Sequence, residues 1–190
     1  SKAKILIDMG KYQKAEEISL IAQNIVNKKT KNGIKYIYSN TGQLTFSVLD
    51  HLITISNLAF IYNSLGNFLK SEDYYLKALD LFKNDEYLSS NKDLFSSHYA
   101  KTLNNLGSLY IDKRKLIKAE KYLLKSLEIN KIENFQDDIA NNLLNLGTIY
   151  ENQGLLKKAE EYYLKSLEQY EIFYGKNNIN LSSIQIQLAN

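Results

Sequence analysis

Apolar and small residues recur along this chain at the spacing of one side of an α-helix. Between residues 94 and 112 they follow the i, i+3, i+4, i+7 order, at Leu103, Leu106, Gly107 and Tyr110. Short polar segments, several of them with a glycine, separate one such run from the next. The pattern predicts about nine helices in antiparallel pairs, at residues 1–9, 12–28, 44–64, 68–83, 94–112, 115–131, 136–152, 156–173 and 179–190.

An internal repeat is marked by a small residue that is followed three positions later by tyrosine. The pairs are Ala59 and Tyr62, Gly107 and Tyr110, and Gly147 and Tyr150. Twelve positions after each small residue comes a second one, and an acidic residue follows it, as at Ala119 and Glu120. One helix pair of this length cannot bury its apolar side alone. The repeat therefore predicts a stack in which each pair packs on the next.

The small residues have a packing role in this pattern. Gly107 and Ala119 fall on facing helices, so they let the two backbones approach closely. Neighbouring large side chains then fill the remaining space. We expect the tyrosines that recur in register to belong to the core, namely Tyr62, Tyr75, Tyr110, Tyr122, Tyr150 and Tyr163.

The turn inside each pair carries its own signal. Gly10, Gly66 and Gly154 occupy one turn position, where a left-handed residue ends the first helix. Arg114 stands at that position in the third unit. Because a residue with a side chain disfavours the left-handed conformation, we expect that turn to be strained or differently shaped.

The repeat resembles the tetratricopeptide repeat, a helix-turn-helix with small residues and tyrosines at these offsets. A spacing near 42 residues and the phrase "AKTLNNLGSLY" at 100–110 are most similar to the longer repeats of kinesin light chains. Those repeats carry a histidine-proline pair before each unit, whereas this chain has no proline and His98 is out of register. The resemblance implies an all-α fold, a right-handed superhelical α-solenoid of antiparallel helix pairs.

The repeat also organises the chain. We expect a single array over residues 1–190, with insertions at 29–43 and 84–93 between its units. The chain begins and stops inside predicted helices, so we interpret it as a piece of a longer protein. The units are a partial repeat at 1–28, repeats at 44–83, 94–131 and 136–173, and a partial repeat at 179–190.

Composition narrows the function classes. The net charge is +3 and both signs are mixed along the chain, which disfavours nucleic acid or an anionic membrane as partner. No apolar run approaches 18 residues, so no membrane-spanning helix is predicted. Cysteine is absent, which excludes disulfides and thiolate metal sites and fits a reducing, cytoplasmic location.

Catalytic residues are not indicated. The chain has two histidines, His51 and His98, and no cysteine, and Asp50 beside His51 does not share its helical face. Glu160 and Glu161 are adjacent, so their side chains diverge by roughly 100° on a helix and do not form an acid–base pair. The chain also lacks a Walker loop and a GxGxxG motif. We therefore expect no enzyme activity, no cofactor and no metal site.

Asparagines recur at one position of the first helices, at Asn57, Asn105 and Asn145. An asparagine inside a helix costs roughly 0.5–0.7 kcal/mol relative to alanine, so its recurrence needs a reason. In the resembling family this face is concave, and asparagines there hold the backbone of an extended ligand. The resemblance implies a peptide-binding face made of Asn57, Phe60, Lys101, Asn105, Ser108, Asn141, Asn145, Thr148 and Asn152.

Two functions remain open at this point. The first is a scaffold that binds a peptide or protein segment. The second is a structural array that packs on its own chain or self-associates through its terminal repeats. A bias toward AT-rich codons would also enrich asparagine, in which case the row would have no ligand. Lys101 is the only cation on the face, with Asp112 and Glu151 nearby, so a clamp for a terminal carboxylate is not expected.

Overall fold

The computed structural model describes residues 10–31, 37–38, 44–46, 48–84, 90 and 92–175. Seven helices lie in these ranges: α1 (Tyr12–Lys31), α2 (Val48–Ser64), α3 (Phe68–Asn84), α4 (Lys92–Asp112), α5 (Leu116–Ile132), α6 (Gln136–Asn152) and α7 (Leu156–Tyr174). Two short strands, β1 (Ile37–Tyr38) and β2 (Leu44–Phe46), pair antiparallel. The predicted helices at 1–9 and 179–190 lie outside the described residues.

The chain divides into two compact units, Ser1–Asn91 and Lys92–Asn190. In the first unit α2 packs against both α1 and α3. In the second unit each helix from α4 to α7 packs against the next, and α4 also contacts α6. The second unit thus consists of two antiparallel helix pairs that are stacked on each other, as the repeat predicts.

The predicted boundaries agree with the structure at most helix ends. The prediction for α6 is confirmed at both ends, and several other ends differ by only one to three residues. The predicted start of a helix at residue 44 is wrong, because 44–46 form β2 and α2 begins at Val48. The residues of β1 and β2 include isoleucine, tyrosine, threonine and phenylalanine, which favour strands.

The turns between paired helices share one hydrogen-bond arrangement. In the first unit the Gly66 amide donates to the Asn63 carbonyl at 2.9 Å, in a turn that ends α2. In the second unit the Arg114 amide donates to the Ile111 carbonyl at 2.8 Å in the same way. Arg114 takes a φ of 56°, close to the 73° of Gly66. Its turn therefore keeps the shape that glycine gives elsewhere, and the strain falls on the arginine backbone.

The close approach of paired helices is confirmed. A methyl group built on Gly107 would lie 2.6 Å from the Leu123 Cγ and 3.4 Å from the Ala119 carbonyl oxygen. A methyl group on Gly147 would likewise overlap the ring of Tyr163. At this position α4 and α6 therefore admit only glycine without a shift of the partner helix.

The recurring tyrosines form a packing unit in every pair. Tyr110 is buried and stacks on the half-buried Tyr122, with ring centroids 5.5 Å apart. Tyr150 is also buried, and its ring faces the ammonium of Lys158 at 3.8 Å. Its hydroxyl donates to Glu120 of the preceding pair. The prediction that the recurring tyrosines belong to the core is confirmed for Tyr62, Tyr75, Tyr110, Tyr150 and Tyr163, whereas Tyr122 is only half-buried.

Candidate functional site

The predicted peptide-binding residues divide between the two units. Asn57 and Phe60 lie on α2 of the first unit, where Asn57 is half-buried and Phe60 is exposed. The others lie on α4 and α6 of the second unit. Lys101 and Asn152 are exposed there, and the half-buried members are Asn105, Ser108, Asn141, Asn145 and Thr148. The second unit thus places seven of the predicted residues on two helices that touch each other.

Three members of this set are engaged in bonds that hold the fold. Asn141 donates to the Asp137 carbonyl at 3.0 Å and accepts from the Tyr170 hydroxyl at 2.7 Å. Asn152 donates to a backbone carbonyl of its own helix at 2.8 Å and accepts from the Arg114 guanidinium at 3.0 Å. The Thr148 hydroxyl also donates to a carbonyl of its own helix. These side chains are oriented by the protein and offer little to a ligand.

Lys101 has an ionic partner on the neighbouring helix. Its Nζ lies 3.5 Å from the Asp138 carboxylate. Burial raises the pKa of Asp138, and the nearby Lys101 ammonium opposes that shift. His98 lies one helical turn before Lys101, and burial together with that ammonium lowers the pKa of His98. The cation that the sequence assigned to ligand contact is therefore shared with a carboxylate of the protein.

Asn145, one of the residues predicted to hold a ligand, also bonds to the neighbouring helix α4. Its Nδ2 donates to the Oδ1 of Asn104 at 3.0 Å, from α6 to α4. The same oxygen accepts from the Nδ2 of Asn142 at 2.9 Å. Asn104 also donates to the Oδ1 of Asn105 at 3.5 Å. Asparagine amides thus cross-link the two first helices in addition to lining their surface.

The crossing amides continue into the core. Asn142 is fully buried, and its Oδ1 accepts from the Nδ2 of Asn130 on α5 at 2.6 Å. Asn130 is buried as well, and it lies near the Ser126 hydroxyl, which donates to the Ala100 carbonyl at 2.7 Å. These bonds satisfy most of a polar cluster that would otherwise destabilise the interior.

Sequence reasoning missed Asn104, Asn130 and Asn142. A signal existed for Asn142, because it precedes the buried Leu146 by four positions and therefore falls on the apolar side of α6. An asparagine on that side requires partners inside the protein. No spacing rule identifies which residues of α4 and α5 supply them.

On α4 and α6, three groups of the predicted face keep unused hydrogen-bonding capacity. They are the Nδ2 of Asn105, the hydroxyl of Ser108 and the Oδ1 of Asn145, none of which bonds to another described residue. We call Asn105, Ser108 and Asn145 the open amide face. Asn105 and Ser108 are one turn apart on α4, and Asn145 lies on the adjacent α6.

The part of the chain that the structure describes holds no group of three or more His, Cys, Asp or Glu side chains that could bind a metal ion. Within the same residues, no helix is long and apolar enough to cross a membrane.

Sequence profiles of the tetratricopeptide repeat family match most of the chain. One profile matches residues 54–85 and 100–132, and a second matches residues 138–190. The matched ranges include all of α3, α5 and α7, nearly all of α6, and the later parts of α2 and α4. No curated protein sequence matches the chain.

Solved structures share the fold over nearly the whole length. BtubC (BKLC) from P. vanneervenii is 20% identical, with a TM-score of 0.71, and the match covers 98% of this chain and 67% of that one. Apo RapI is 19% identical, with a TM-score of 0.71 and coverage of 98% and 59%. The kinesin light chain-like repeats of Podospora anserina are 15% identical, with a TM-score of 0.65 and coverage of 98% and 80%. These likenesses confirm the predicted class of fold, a solenoid of antiparallel helix pairs.

Proposed function

The chain belongs to the tetratricopeptide repeat family, with repeats of the kinesin light chain type, and on this premise we propose that it binds an extended protein segment along α4 and α6. In general terms it is a protein-interaction scaffold, of a family that is typically not enzymatic. The proposal adds a location, the open amide face, and a kind of ligand, a peptide backbone. It includes the expectation that the two units belong to a single array.

The open amide face is the observation that carries this proposal. Asn105 and Asn145 both retain hydrogen-bonding groups that no described residue uses. An extended peptide backbone carries donors and acceptors in alternation, and an asparagine amide matches either of them. A half-buried amide is also partly desolvated already, which lowers the cost of binding a partner there. Ser108 adds a hydroxyl on the same side of α4.

The charges beside the face favour an internal segment of a protein over a free C-terminus. A terminal carboxylate requires cations that are free to hold it. Lys101 is the cation of this face, and it lies 3.5 Å from Asp138. The half-buried Ile111 and Leu144, next to the open groups, offer shallow apolar contacts for side chains of the segment.

A second candidate function is self-association through α7. Large apolar side chains are exposed there, with Leu156 at 67%, Ile172 at 64% and Phe173 at 53% of their full accessibility. Apolar surface of this kind favours contact with another protein surface or a second copy of the chain. Light scattering over a range of protein concentrations separates this function from peptide binding. A monomer at high concentration argues against it.

The proposed function is tested by selection from a displayed library of twelve-residue peptides on the 190-residue chain. Selected peptides are then synthesised, and hydrogen exchange of the complex locates their footprint. We expect protection on α4 and α6, together with loss of binding when Asn105 and Asn145 are both changed to alanine. A footprint on α5 and α7 contradicts the proposal, and so does the absence of any selected peptide.

A further inference from the structure

The asparagines between α4, α5 and α6 form one chain of hydrogen bonds with a single direction. We call Asn130, Asn142, Asn104 and Asn105 the amide relay. Each member donates from Nδ2 to the Oδ1 of the next, at 2.6 Å, 2.9 Å and 3.5 Å in turn. The relay therefore runs from the buried Asn130 to the half-buried Asn105 at the surface.

Ser126 fixes the direction at the buried end. Its hydroxyl donates to the Ala100 carbonyl at 2.7 Å and also lies 3.3 Å from the Oδ1 of Asn142, so its one proton is shared between two acceptors and its oxygen lone pairs are left to accept. The Nδ2 of Asn130 lies 3.5 Å from that oxygen and 2.6 Å from the Oδ1 of Asn142. Turning the Asn130 amide over would place its oxygen against two acceptors. Asn142 consequently keeps its oxygen inward and its amino group toward α4.

The orientation of the Asn104 amide is fixed by the groups that donate to it. Its Oδ1 accepts from both Asn142 and Asn145, at 2.9 Å and 3.0 Å. Because an amide oxygen has two lone pairs, these two bonds saturate it. Reversing Asn104 would set its amino group against two donors, so the side chain has one favourable orientation.

We propose that Asn104 is the positioning residue that gives the open amide face its chemistry. Asn104 accepts one proton of the Asn145 amino group and so sets which side of that amide faces the protein, and the carbonyl of Asn145 is the group that no described residue uses. Asn104 donates to the carbonyl of Asn105, and the amino group of Asn105 is the group that no described residue uses. This inference rests on the proposed function and assigns one role to each asparagine.

The assignment restricts the ligand. Asn145 accepts a backbone N–H of the bound segment, and Asn105 donates to one of its backbone carbonyls. The residue opposite Asn145 therefore has a free N–H, which excludes proline at that position. On α7, Tyr170 stands where Asn130 stands on α5, so α7 supplies no amide at that position, although Ser166 donates to the Ala140 carbonyl as Ser126 does to Ala100.

The relay is tested first on the free protein, by proton exchange of the asparagine side-chain amides in a ¹⁵N-labelled sample. We expect slow exchange for the amino group of Asn145 and fast exchange for that of Asn105. Asn104→Ala should make the Asn145 amide exchange fast, whereas Asn104→Asp, which keeps an acceptor oxygen, should leave it slow. Equal exchange rates of the Asn105 and Asn145 amides overturn the relay. An exchange rate of the Asn145 amide that does not change in Asn104→Ala also overturns it.

The second arm uses a display-selected peptide whose footprint lies on α4 and α6. Asn104→Ala should weaken it by about two- to twelvefold, the effect of one hydrogen bond, and Asn104→Asp should restore only the share that depends on Asn145, because a carboxylate accepts from Asn145 but has no proton to donate to Asn105. Each backbone N–H group of the peptide is then replaced in turn by an ester oxygen. One of these replacements should weaken binding to the parent but should not weaken binding to Asn145→Ala any further. If a folded Asn104→Ala variant binds the peptide with undiminished affinity, the role proposed for Asn104 is overturned. If no peptide binds the parent at all, the proposed function is refuted, and the proton-exchange result is unaffected.

Discussion

The buried pair of Asn130 and Asn142 gives the sharpest test of how the second unit is held together. Asn142→Leu removes the bond of 2.6 Å and leaves the Asn130 amino group with only the Ser126 oxygen at 3.5 Å. A buried polar group without a partner costs about 1–3 kcal/mol. We therefore expect Asn142→Leu to lower the free energy of unfolding by about 2 kcal/mol.

The double variant separates this cost from general disruption of the core. When Asn130→Leu accompanies Asn142→Leu, no unpaired donor remains between the two positions, and an apolar pair of similar shape is often nearly neutral. The double variant should therefore lose less than the sum of the single variants, with a coupling free energy of about 1–2 kcal/mol.

Urea denaturation followed by circular dichroism measures these values, and the slope of each curve checks that cooperativity is unchanged. Ser108→Ala is a matched control, because its half-buried hydroxyl bonds to no described residue and its removal should change stability by less than about 0.5 kcal/mol. Strictly additive losses would refute the reasoning, and so would an Asn142→Leu variant as stable as the parent.

Three further outcomes follow from the packing, the turns and the charges. Gly107→Leu should lower the melting temperature, because even a Cβ at this position would overlap Leu123 and overpacking costs about 1–3 kcal/mol. An unchanged melting temperature would show that the helix contact is misplaced. Arg114→Gly should raise stability by about 1 kcal/mol in urea denaturation, because the φ of 56° disfavours a residue with a side chain; destabilisation would assign a larger role to the arginine side chain. The parent should lose stability as the pH falls below 6.5, because the pKa of His98 is lowered in the folded state and the unfolded chain therefore binds the proton more readily. A His98→Gln variant with the same dependence of stability on pH would contradict this.

Much of the fold could be predicted because the spacing of small and large residues in each repeat indicates how its two helices pack. The spacing from Gly107 to Ala119 predicts a close helix contact, and a Cβ built on Gly107 would lie only 3.4 Å from the Ala119 carbonyl oxygen. The start of α2 could not be placed in the same way. Residues 44–46 continue the apolar run, and their pairing with 37–38 depends on a partner that helical periodicity does not describe.

The candidate site was predictable at the level of a face and not at the level of bonds. Helical geometry puts Asn105 and Asn145 at equivalent positions, and both are half-buried as expected of a ligand surface. The bond from Asn145 to Asn104 depends on the distance between α4 and α6, which a repeat pattern does not give. The sequence predicts that these asparagines bind a ligand, whereas in the structure one group of each amide also bonds to Asn104.

The asparagine-rich composition is a weak explanation for the amides of the second unit. Codon bias would scatter asparagines without regard to partners. Asn104, Asn130 and Asn142 instead meet through donor and acceptor atoms in the interior. These bonds give the three asparagines a structural role, whereas the open groups of Asn105 and Asn145 are those that the proposed ligand would use.

The central claim is that the open amide face binds a peptide backbone, and isothermal titration of a display-selected peptide with the Asn105→Ala, Asn145→Ala double variant tests it most directly. Two neutral hydrogen bonds contribute about 1–3 kcal/mol, so the dissociation constant should rise by about 5- to 150-fold. The loss of the Asn145 bond to Asn104 should cost stability by no more than about 1 kcal/mol, because that oxygen keeps Asn142 as a donor. A double variant that is less stable yet binds the peptide unchanged would contradict the account, because the amides would then serve the fold alone.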